Sequence, residues 1–372
     1  MVFDELTDLS FEEVIKLAKF HNLTFRYSDD LYLMKYNRNS ECDLKNGFVE
    51  NCRGAIFDRN TNKCVNYAFS KGMDYDEFKK TYNICDIIIE ESIDGTMLNI
   101  YYHNDKWNFS TKGMIDSNKS FWFSKKSFYK MFLECLKFDL DSLNKNYCYS
   151  FVITHPENRI VTRYDNGDLY LVRIRDMATL EIVENIPKIN VRIPKEFKFT
   201  SYEELEKNLK KLDYEKEGYM LFSKNKKDRV KIKGPKYLKA FELKGNQANK
   251  TFHLLDIIIN KQEYEYLQYF YEDKYEMDRI SLKISNLVEN LFNIYFNMRV
   301  RKIKVDVPFK FKPLIFELHG IYLREKAKIG KYKTTRKSIH KYIYQMDIPR
   351  VYFVLFKKFN KDSDSMEQYE PT

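Results

Sequence analysis

The chain contains no stretch of about 18 consecutive apolar residues, the length that marks a membrane-spanning helix. Its first residues, Met1-Val2-Phe3-Asp4-Glu5, are acidic and lack the basic-then-apolar layout of a secretory signal. The cysteines (Cys42, Cys52, Cys64, Cys85, Cys135 and Cys148) include no Cys-x-x-Cys pair, so neither a disulfide framework nor a structural zinc is expected. Together these absences point to a soluble, cytoplasmic protein with free thiols and no membrane partner. Glycine (11) and proline (8) are scarce beside 29 Tyr and 29 Phe. Aromatics accompanied by many Lys and Asn reflect an AT-rich genome as readily as base stacking, so they carry no functional reading. Hydrophobic residues make up 44% of 372 residues, enough for two ordinary domains with a sizeable core.

The formal net charge is +10, which favours polyanions such as nucleic acid or an acidic membrane surface. Many basic proteins bind neither, and a chain with 32% charged residues mostly has a solvated face.

One stretch, Glu90-Glu91-Ser92-Ile93-Asp94-Gly95-Thr96, lies between the apolar runs 84–89 and 97–102. That pattern predicts a hairpin with an Asp-Gly tip. Upstream, Ser10-Phe11-Glu12-Glu13 is a capping box opening a helix, and 31–36, 52–57 and 65–70 read as strands. Residues 117–143 switch to helical spacing, through Phe121, Phe128, Met131, Phe132, Cys135 and Leu136. Strands are expected again at 147–154, 159–164 and 169–175, the last two joined by Asp165-Asn166-Gly167. A second capping box at Ser201 opens a helix, and 217–223 with 229–233 form a hairpin. Beyond Gly234-Pro235 the spacing is helical, over 254–259, 264–271, 280–298 and 338–344. The expected organisation is an α+β domain with antiparallel strands over 1–238 and an α-helical domain over 239–372, disordered at its last ten or so residues.

Several features stand out as chemistry. Arg53 opens a strand, Lys71 closes one, and Glu217-Gly218-Tyr219 starts another. Lys231-Ile232-Lys233 alternates, so both lysines share one face. Such a pair is often a solvated edge that guards against strand pairing. It can equally cradle a polyphosphate, with a nearby Glu recruiting Mg²⁺. The residues alone leave both open.

The ordered set resembles the ATP-dependent RNA ligases of the phage RNA ligase 1 type, within the covalent nucleotidyltransferase superfamily. The residues that carry the resemblance are Cys52-Arg53-Gly54-Ala55-Ile56-Phe57, Phe69-Ser70-Lys71, Ser92-Ile93-Asp94-Gly95-Thr96 and Ser110-Thr111-Lys112-Gly113. They continue with Pro156-Glu157-Asn158-Arg159-Ile160-Val161, Glu217-Gly218-Tyr219-Met220, Lys231-Ile232-Lys233 and Tyr237. The resemblance spans roughly 50–240, and a helical C-terminal region also fits it. DNA ligases and capping enzymes usually follow the last Lys motif with a β-barrel, which is not expected here.

The resemblance implies a nucleotidyltransferase domain and a three-step reaction. A Lys attacks the α-phosphate of ATP, AMP passes to an RNA 5′-phosphate, and an RNA 3′-hydroxyl attacks to seal the strand. It also implies that Arg53, Lys71, Asp94, Gly95, Lys112, Glu217 and Tyr237 bind the nucleotide (ATP or AMP). Glu217 would hold Mg²⁺, and Lys231 and Lys233 would hold the α-phosphate and assist transfer. RNA, with broken tRNA among the candidates, would be the partner, in a viral RNA-repair setting. No obligate protein partner is inferred.

Two positions depart from the family. Ser92 stands where the nucleophilic Lys belongs, and no Lys lies between Tyr82 and Lys106 to replace it. Val152 stands where the family has a Glu. A Ser hydroxyl is a weak nucleophile without an adjacent base, and it lacks the amine of a phosphoramidate. The expectation is therefore a chain unable to form lysyl-AMP: a natural pseudoligase that binds or sequesters nucleotides or RNA ends, an engineered inactive variant, or a sealer of RNA already adenylylated. Three lesser signals have plainer readings. His155 and Glu157 read as a surface loop, and His319 and His340 as structural or surface residues. The basic run from Arg324 to Lys337 is either a solvated face or an RNA contact.

Overall fold

A computed structural model describes residues 2–37, 41–120, 124–247 and 249–357. Phe121, within the expected helical stretch, and the C-terminal tail expected to be disordered lie outside the described residues. The chain divides into two compact units, Met1–Lys244 and Gly245–Thr372.

Among the described residues the first unit carries the strands: β1 (Thr24–Tyr27), β2 (Leu31–Lys35), β3 (Arg53–Asp58), β4 (Cys64–Asn66), β5 (Ile87–Ser92), β6 (Thr96–His103), β7 (Lys106–Thr111), β8 (Tyr147–Thr154), β9 (Asp168–Asp176), β10 (Glu196–Phe197), β11 (Gly218–Ser223) and β12 (Arg229–Lys233). They form three antiparallel sheets with orders β1-β2-β3-β4, β10-β5-β11-β12 and β7-β6-β8-β9. Its helices are α1 (Phe11–Phe20), α2 (Gly47–Asn51), α3 (Tyr75–Thr81), α4 (Phe128–Cys135), α5 (Tyr202–Lys211) and α6 (Pro235–Lys244). The Ser10 capping box forms: the Glu13 amide donates to Ser10 Oγ and Ser10 N donates to Glu13 Oε2 at 2.8 Å. It starts α1, which buries Val14 and Ala18 against Tyr32, Met34 and Phe57 of the first sheet. Each sheet has its own apolar cluster, as alternation predicts.

Several sequence expectations fail for local reasons. β5 and β6 are not hairpin partners. β5 pairs with β10 and β11, and β6 with β7 and β8. The Asp-Gly stretch is therefore a link between two sheets. Residues 159–164 form no strand, and Asp165-Asn166-Gly167 makes no hairpin, because the Val161 and Thr162 amides donate to Asp94 instead of to a neighbouring strand. Of the helical stretch expected over 117–143, the described residues form 3-10 turns at Ser117–Lys119 and Leu140–Ser142 and the helix α4, which starts where Ser127 Oγ accepts from the Lys130 amide. At Ser201 the box is half formed: the Glu204 carboxylate turns to the Thr200 amide and hydroxyl, at 2.7 Å each.

The second unit is helical: α7 (Lys250–Ile259), α8 (Glu263–Leu267), α9 (Lys274–Tyr295), α10 (Lys312–Ile329), α11 (Arg336–Ile343) and α12 (Ile348–Phe356). Helix α9 buries Met277, Ile280, Ile284, Leu287, Leu291 and Tyr295, a stripe at 3- and 4-residue spacing. α10 and α12 escape a periodicity reading: α10 alternates exposed Phe316 and Leu323 with buried Leu314 and Leu318, and α12 is apolar on most of its surface. Among the described residues no helix is long and apolar enough to cross a membrane.

Candidate functional site

The β5-β11-β12 wall sets side chains in rows. Ser92 faces Gly218 and Lys233; Glu90 faces Met220 and Lys231; Ile88 faces Phe222 and Arg229. Residues two apart on a strand share a face, so the three rows line one surface. Across from it, β6 and β8 bring Met97 opposite Val152. Between them is a cavity of about 440 Å³. Its walls include Phe69, Met97, Val152, Val172, Met220 and Phe222, and its charged lining is Arg53, Lys112, Lys231, Arg229, Glu90 and Glu91. Ser92 and Val152, the two departures, both line it.

Glu217, 5% exposed, is the charged hub. Ser92 Oγ donates to its Oε2 at 2.6 Å, and Lys231 Nζ donates to the same oxygen at 2.8 Å. Lys233 Nζ lies 3.3 Å from Oε1. Burial disfavours the Glu217 charge, but Lys231, the Lys231 and Ser92 hydrogen bonds and Lys233 outweigh it, holding the carboxyl below its ordinary value. The expected alternation thus brings both lysines to one carboxylate. The Lys231 ammonium sits beside the Ser92 hydroxyl because both converge on Oε2.

Asp94 acts behind this wall. Its Oδ2 accepts from the Val161 and Thr162 amides at 2.9 and 2.8 Å, and its Oδ1 from the Tyr237 hydroxyl at 2.7 Å. Asn158 Nδ2 donates to Thr96 Oγ1 at 2.9 Å. The Asn-Arg-Ile-Val run therefore clasps the Asp-Gly link. Gly95 is required there: a Cβ would stand 2.4 Å from Ile153 O. Burial, Glu217 and Asp94 raise the Tyr237 phenol far above its usual range, so it stays a donor. Among the described lining residues neither Asp94 nor Tyr237 appears, whereas Gly95 does.

Arg53 and Lys112 approach across the first and third sheets. Gly54, at φ +86°, lets β3 pass so close to Lys112 that a Cβ would meet its carbonyl oxygen. Lys112 Nζ lies 5.4 Å from the Tyr36 ring centre. Lys71 is set apart from the cavity lining, its Nζ donating to Leu44 O at 3.3 Å.

Three charged residues near the cavity escaped the sequence reading. Arg229 is buried, donates through Nη2 to Ser70 O at 2.8 Å and lies 4.5 Å from the Phe69 ring centre. Burial, then Arg53, pushes its guanidinium down to about 9. Arg173 stacks on Phe222 at 4.5 Å, with Nη2 3.9 Å from Glu90 Oε2. The alternation that flagged Lys231 and Lys233 extends one step back to Arg229, so that signal was present. Arg173 and Glu90 had none, because their meeting depends on how two sheets face each other.

Away from the cavity, the His155 loop is tied down. His155 Nδ1 accepts from the Glu157 amide at 3.1 Å, and Lys126 bridges Glu134 and Glu157 at 2.8 and 2.6 Å. Among the described residues no cluster of three or more His, Cys, Asp or Glu could hold a metal by itself. In the second unit, Tyr295 and His319 are hydrogen-bonded at 3.2 Å, and His340 stacks on Tyr344. Of the basic run, Arg336 is paired with Glu289, while Arg324, Lys333 and Lys337 line a groove with Tyr332 and Tyr342.

No family model matches the chain. It is 27% identical over 265 residues to a protein of Autographa californica nuclear polyhedrosis virus named as a bifunctional polynucleotide kinase/RNA ligase, covering 65% of this chain and 38% of that one. It is 26% identical over 185 residues to an RNA ligase of Rhodothermus phage RM378, covering 40% and 42%. The chain thus spans about two fifths of the length of these relatives. Among solved structures, an archaeal ATP-dependent RNA ligase aligns with a TM-score of 0.48 at 12% identity, covering 75% of this chain and 83% of that one.

Proposed function

We propose that this chain, a relative of the RNA ligases, binds a nucleotide and RNA ends in the cavity beside Ser92 and does not form lysyl-AMP. The observation that carries the reading is the convergence of Ser92, Lys231 and Lys233 on Glu217 at the edge of an apolar slot. A slot with a few convergent polar groups suits a base and ribose. Lys231, Lys233, Arg53 and Lys112 supply positive charge for phosphates, as nucleotidyl transfer requires. ATP or AMP is the nucleotide that the resemblance implies.

Glu217 fits a Mg²⁺ held mainly by phosphate oxygens and water, since such sites often use a single protein carboxylate. When bound, the ion would neutralise phosphate charge. Glu217 would hold it, and Lys231 and Lys233 would turn to the α-phosphate.

Ser92 leaves the first step without its amine. Its hydroxyl does donate to a carboxylate at 2.6 Å, a nucleophile–base arrangement in outline. However, that carboxyl is held below its ordinary value by Lys231 and Lys233 against the pull of burial, which makes it a weak base. Sealing of RNA that already carries a 5′-adenylyl cap does not need the Lys, and it remains within reach of the Glu217, Lys231 and Lys233 set. Incubation with Mg²⁺ and α-labelled ATP is expected to give no covalent label on the protein, and an acid-labile label would overturn the proposal. Joining of pre-adenylylated RNA distinguishes a ligase that lacks only its first step from a binding protein that sequesters nucleotides or ends.

A further inference from the structure

The groove of the second unit gathers positive charge that the fold leaves unpaired. It measures about 950 Å³ and is lined by Lys261 after α7, Arg324 of α10, Lys333 between α10 and α11, and Lys337 and Lys341 of α11. None of these five cations makes an ion pair among the described residues, whereas neighbouring Arg336 is paired with Glu289. Glu325, the acid of the lining, sits 3.5 Å from Lys328. Lys337 and Lys341 are one turn apart on α11, where like charges repel. The chain carries a matching counter-charge beyond α12. Residues 362–372 include Asp362, Asp364, Glu367 and Glu370 and no Lys, Arg or His, although the whole chain is +10. The geometry permits the two to meet. Tyr352 of α12 packs on Phe252 of α7, with ring centres 5.4 Å apart. Ile259, at the far end of α7, lines the groove, about 10 Å of helix away. Residues 357–361 alone extend about 17 Å, and 357–372 about 50 Å.

We propose that the acidic segment from Asp362 to Glu370 docks in this groove and shields its cations from other polyanions. Each exposed ion pair is weak by itself. Tethering raises the effective concentration of the segment to roughly millimolar, so several weak pairs suffice. Tyr332 and Tyr342 give the groove an aromatic wall for Met366 and Tyr369. A polyanion that enters must displace the segment, which makes the groove selective for partners with enough charge to do so. An RNA strand competes for the same cations. The attached segment is favoured because its acids match the unpaired cations and its connection to α12 keeps it within reach. The consequence for RNA rests on the reading of this chain as an RNA binder, and the docking itself does not.

The first test is carbodiimide crosslinking of the full, unaltered chain, which joins a carboxylate to a lysine amine in contact with it. Mass spectrometry of the monomer band is expected to join Asp362, Asp364, Glu367 or Glu370 to Lys261, Lys333, Lys337 or Lys341. These links should fade as salt is raised. Links from those acids only to lysines elsewhere, or no links, overturn the inference. The second test is binding of an oligouridylate at low salt. Neutralising the segment (Asp362→Asn, Asp364→Asn, Glu367→Gln and Glu370→Gln) is expected to tighten binding about tenfold, the factor for a groove covered about nine-tenths of the time. In a chain that also carries Lys333→Gln, Lys337→Gln and Lys341→Gln, the gain should shrink to about twofold or less. A gain of equal size in both backgrounds is an effect of net charge and overturns the inference, as does no gain in the first. An oligouridylate that no form of the chain binds overturns the reading as an RNA binder, and the crosslinks then decide the docking alone.

Discussion

On one wall of the cavity, β5, β11 and β12 present Ser92, Glu90, Lys231 and Arg229, each held by a carboxylate, a cation, a carbonyl or a ring, and Lys233 joins them through Glu217 from outside the described lining. On the other, β6, β8 and β9 present Met97, Val152 and Val172, which carry no charge. Each wall carries one of the two departures, and the two differ in kind. Ser92, where the resemblance implies a long cation, supplies a donor for Glu217. Val152, where the resemblance implies a carboxylate, supplies apolar volume and no group that needs a partner. The frame is therefore held together with a serine at 92 and a valine at 152. Reversal should be asymmetric: a Lys at 92 would reach a prepared anion, whereas a Glu at 152 would be placed among Met97, Val172 and Met220.

The largest effect expected follows from that asymmetry. Ser92→Lys should turn covalent labelling by α-labelled ATP from absent to measurable, read on a denaturing gel, with the label lost in acid. Val152→Glu alone should give none, and the double variant should label faster than Ser92→Lys. If only the double variant labels, the apolar wall is as deeply altered as the charged one, and the comparison fails.

Behind the charged wall, Asp94→Ala should cost stability in place of chemistry. It strips the acceptor from the Val161 and Thr162 amides and from the Tyr237 hydroxyl, all at buried positions. At roughly 1–3 kcal/mol for each donor left unpaired, a loss of about 3 kcal/mol or more is expected in urea unfolding. Tyr237→Phe, which frees one carboxylate oxygen, should cost about 1 kcal/mol. A near-neutral Asp94→Ala would mean that the clasp is not what holds the link.

What the sequence displayed of this site was whatever strand alternation and short motifs encode. The alternation placed Lys231 and Lys233 on one face, and they do meet one carboxylate. The motif glycines Gly54 and Gly95 stand where a Cβ would collide with backbone. The mixed antiparallel first part and the helical second part were also legible, since strand and helical periods differ. What the sequence hid depended on sheet assignment. An Asp-Gly between two apolar runs reads as a hairpin by local rules, and only the pairing of β5 with β11 and of β6 with β8 reveals a link between sheets. Residues 159–164 read as a strand because their apolar content fits, but their amides serve Asp94. The meeting of Glu90 with Arg173 joins two sheets and leaves no periodic trace.

A smaller effect separates the lysines of the charged wall from its neutral member. Lys231→Met removes an ammonium that lines the cavity and pairs with Glu217. Triphosphate affinity should fall about tenfold, the scale of one charge-assisted contact, and monophosphate affinity by less. Ser92→Ala should leave both affinities within about twofold, because the hydroxyl carries no charge. Equal losses from the two changes would remove the distinction between cation and donor on which the reading of this wall depends.

The smallest effect is on the pH dependence of folding, and its sign is fixed by Glu217. Burial works against this carboxyl, while Lys231, Ser92 and Lys233 outweigh burial and hold it below its ordinary value of 4.5. A carboxyl depressed in the folded state binds fewer protons there than in the unfolded chain. Its contribution is therefore fully present above pH 4.5 and is lost as pH falls through the lower folded value. Glu217→Gln keeps an acceptor for Ser92 but carries no charge, so its stability should decline less steeply than that of the unaltered chain below pH 4.5, as read from urea midpoints. Val152→Ala, a change on the uncharged wall, should shift all midpoints equally and leave the slope untouched. Parallel acid profiles for E217Q and the unaltered chain would show that the two lysines do not stabilise the carboxylate, and that the charged wall is held by packing, as the apolar wall is.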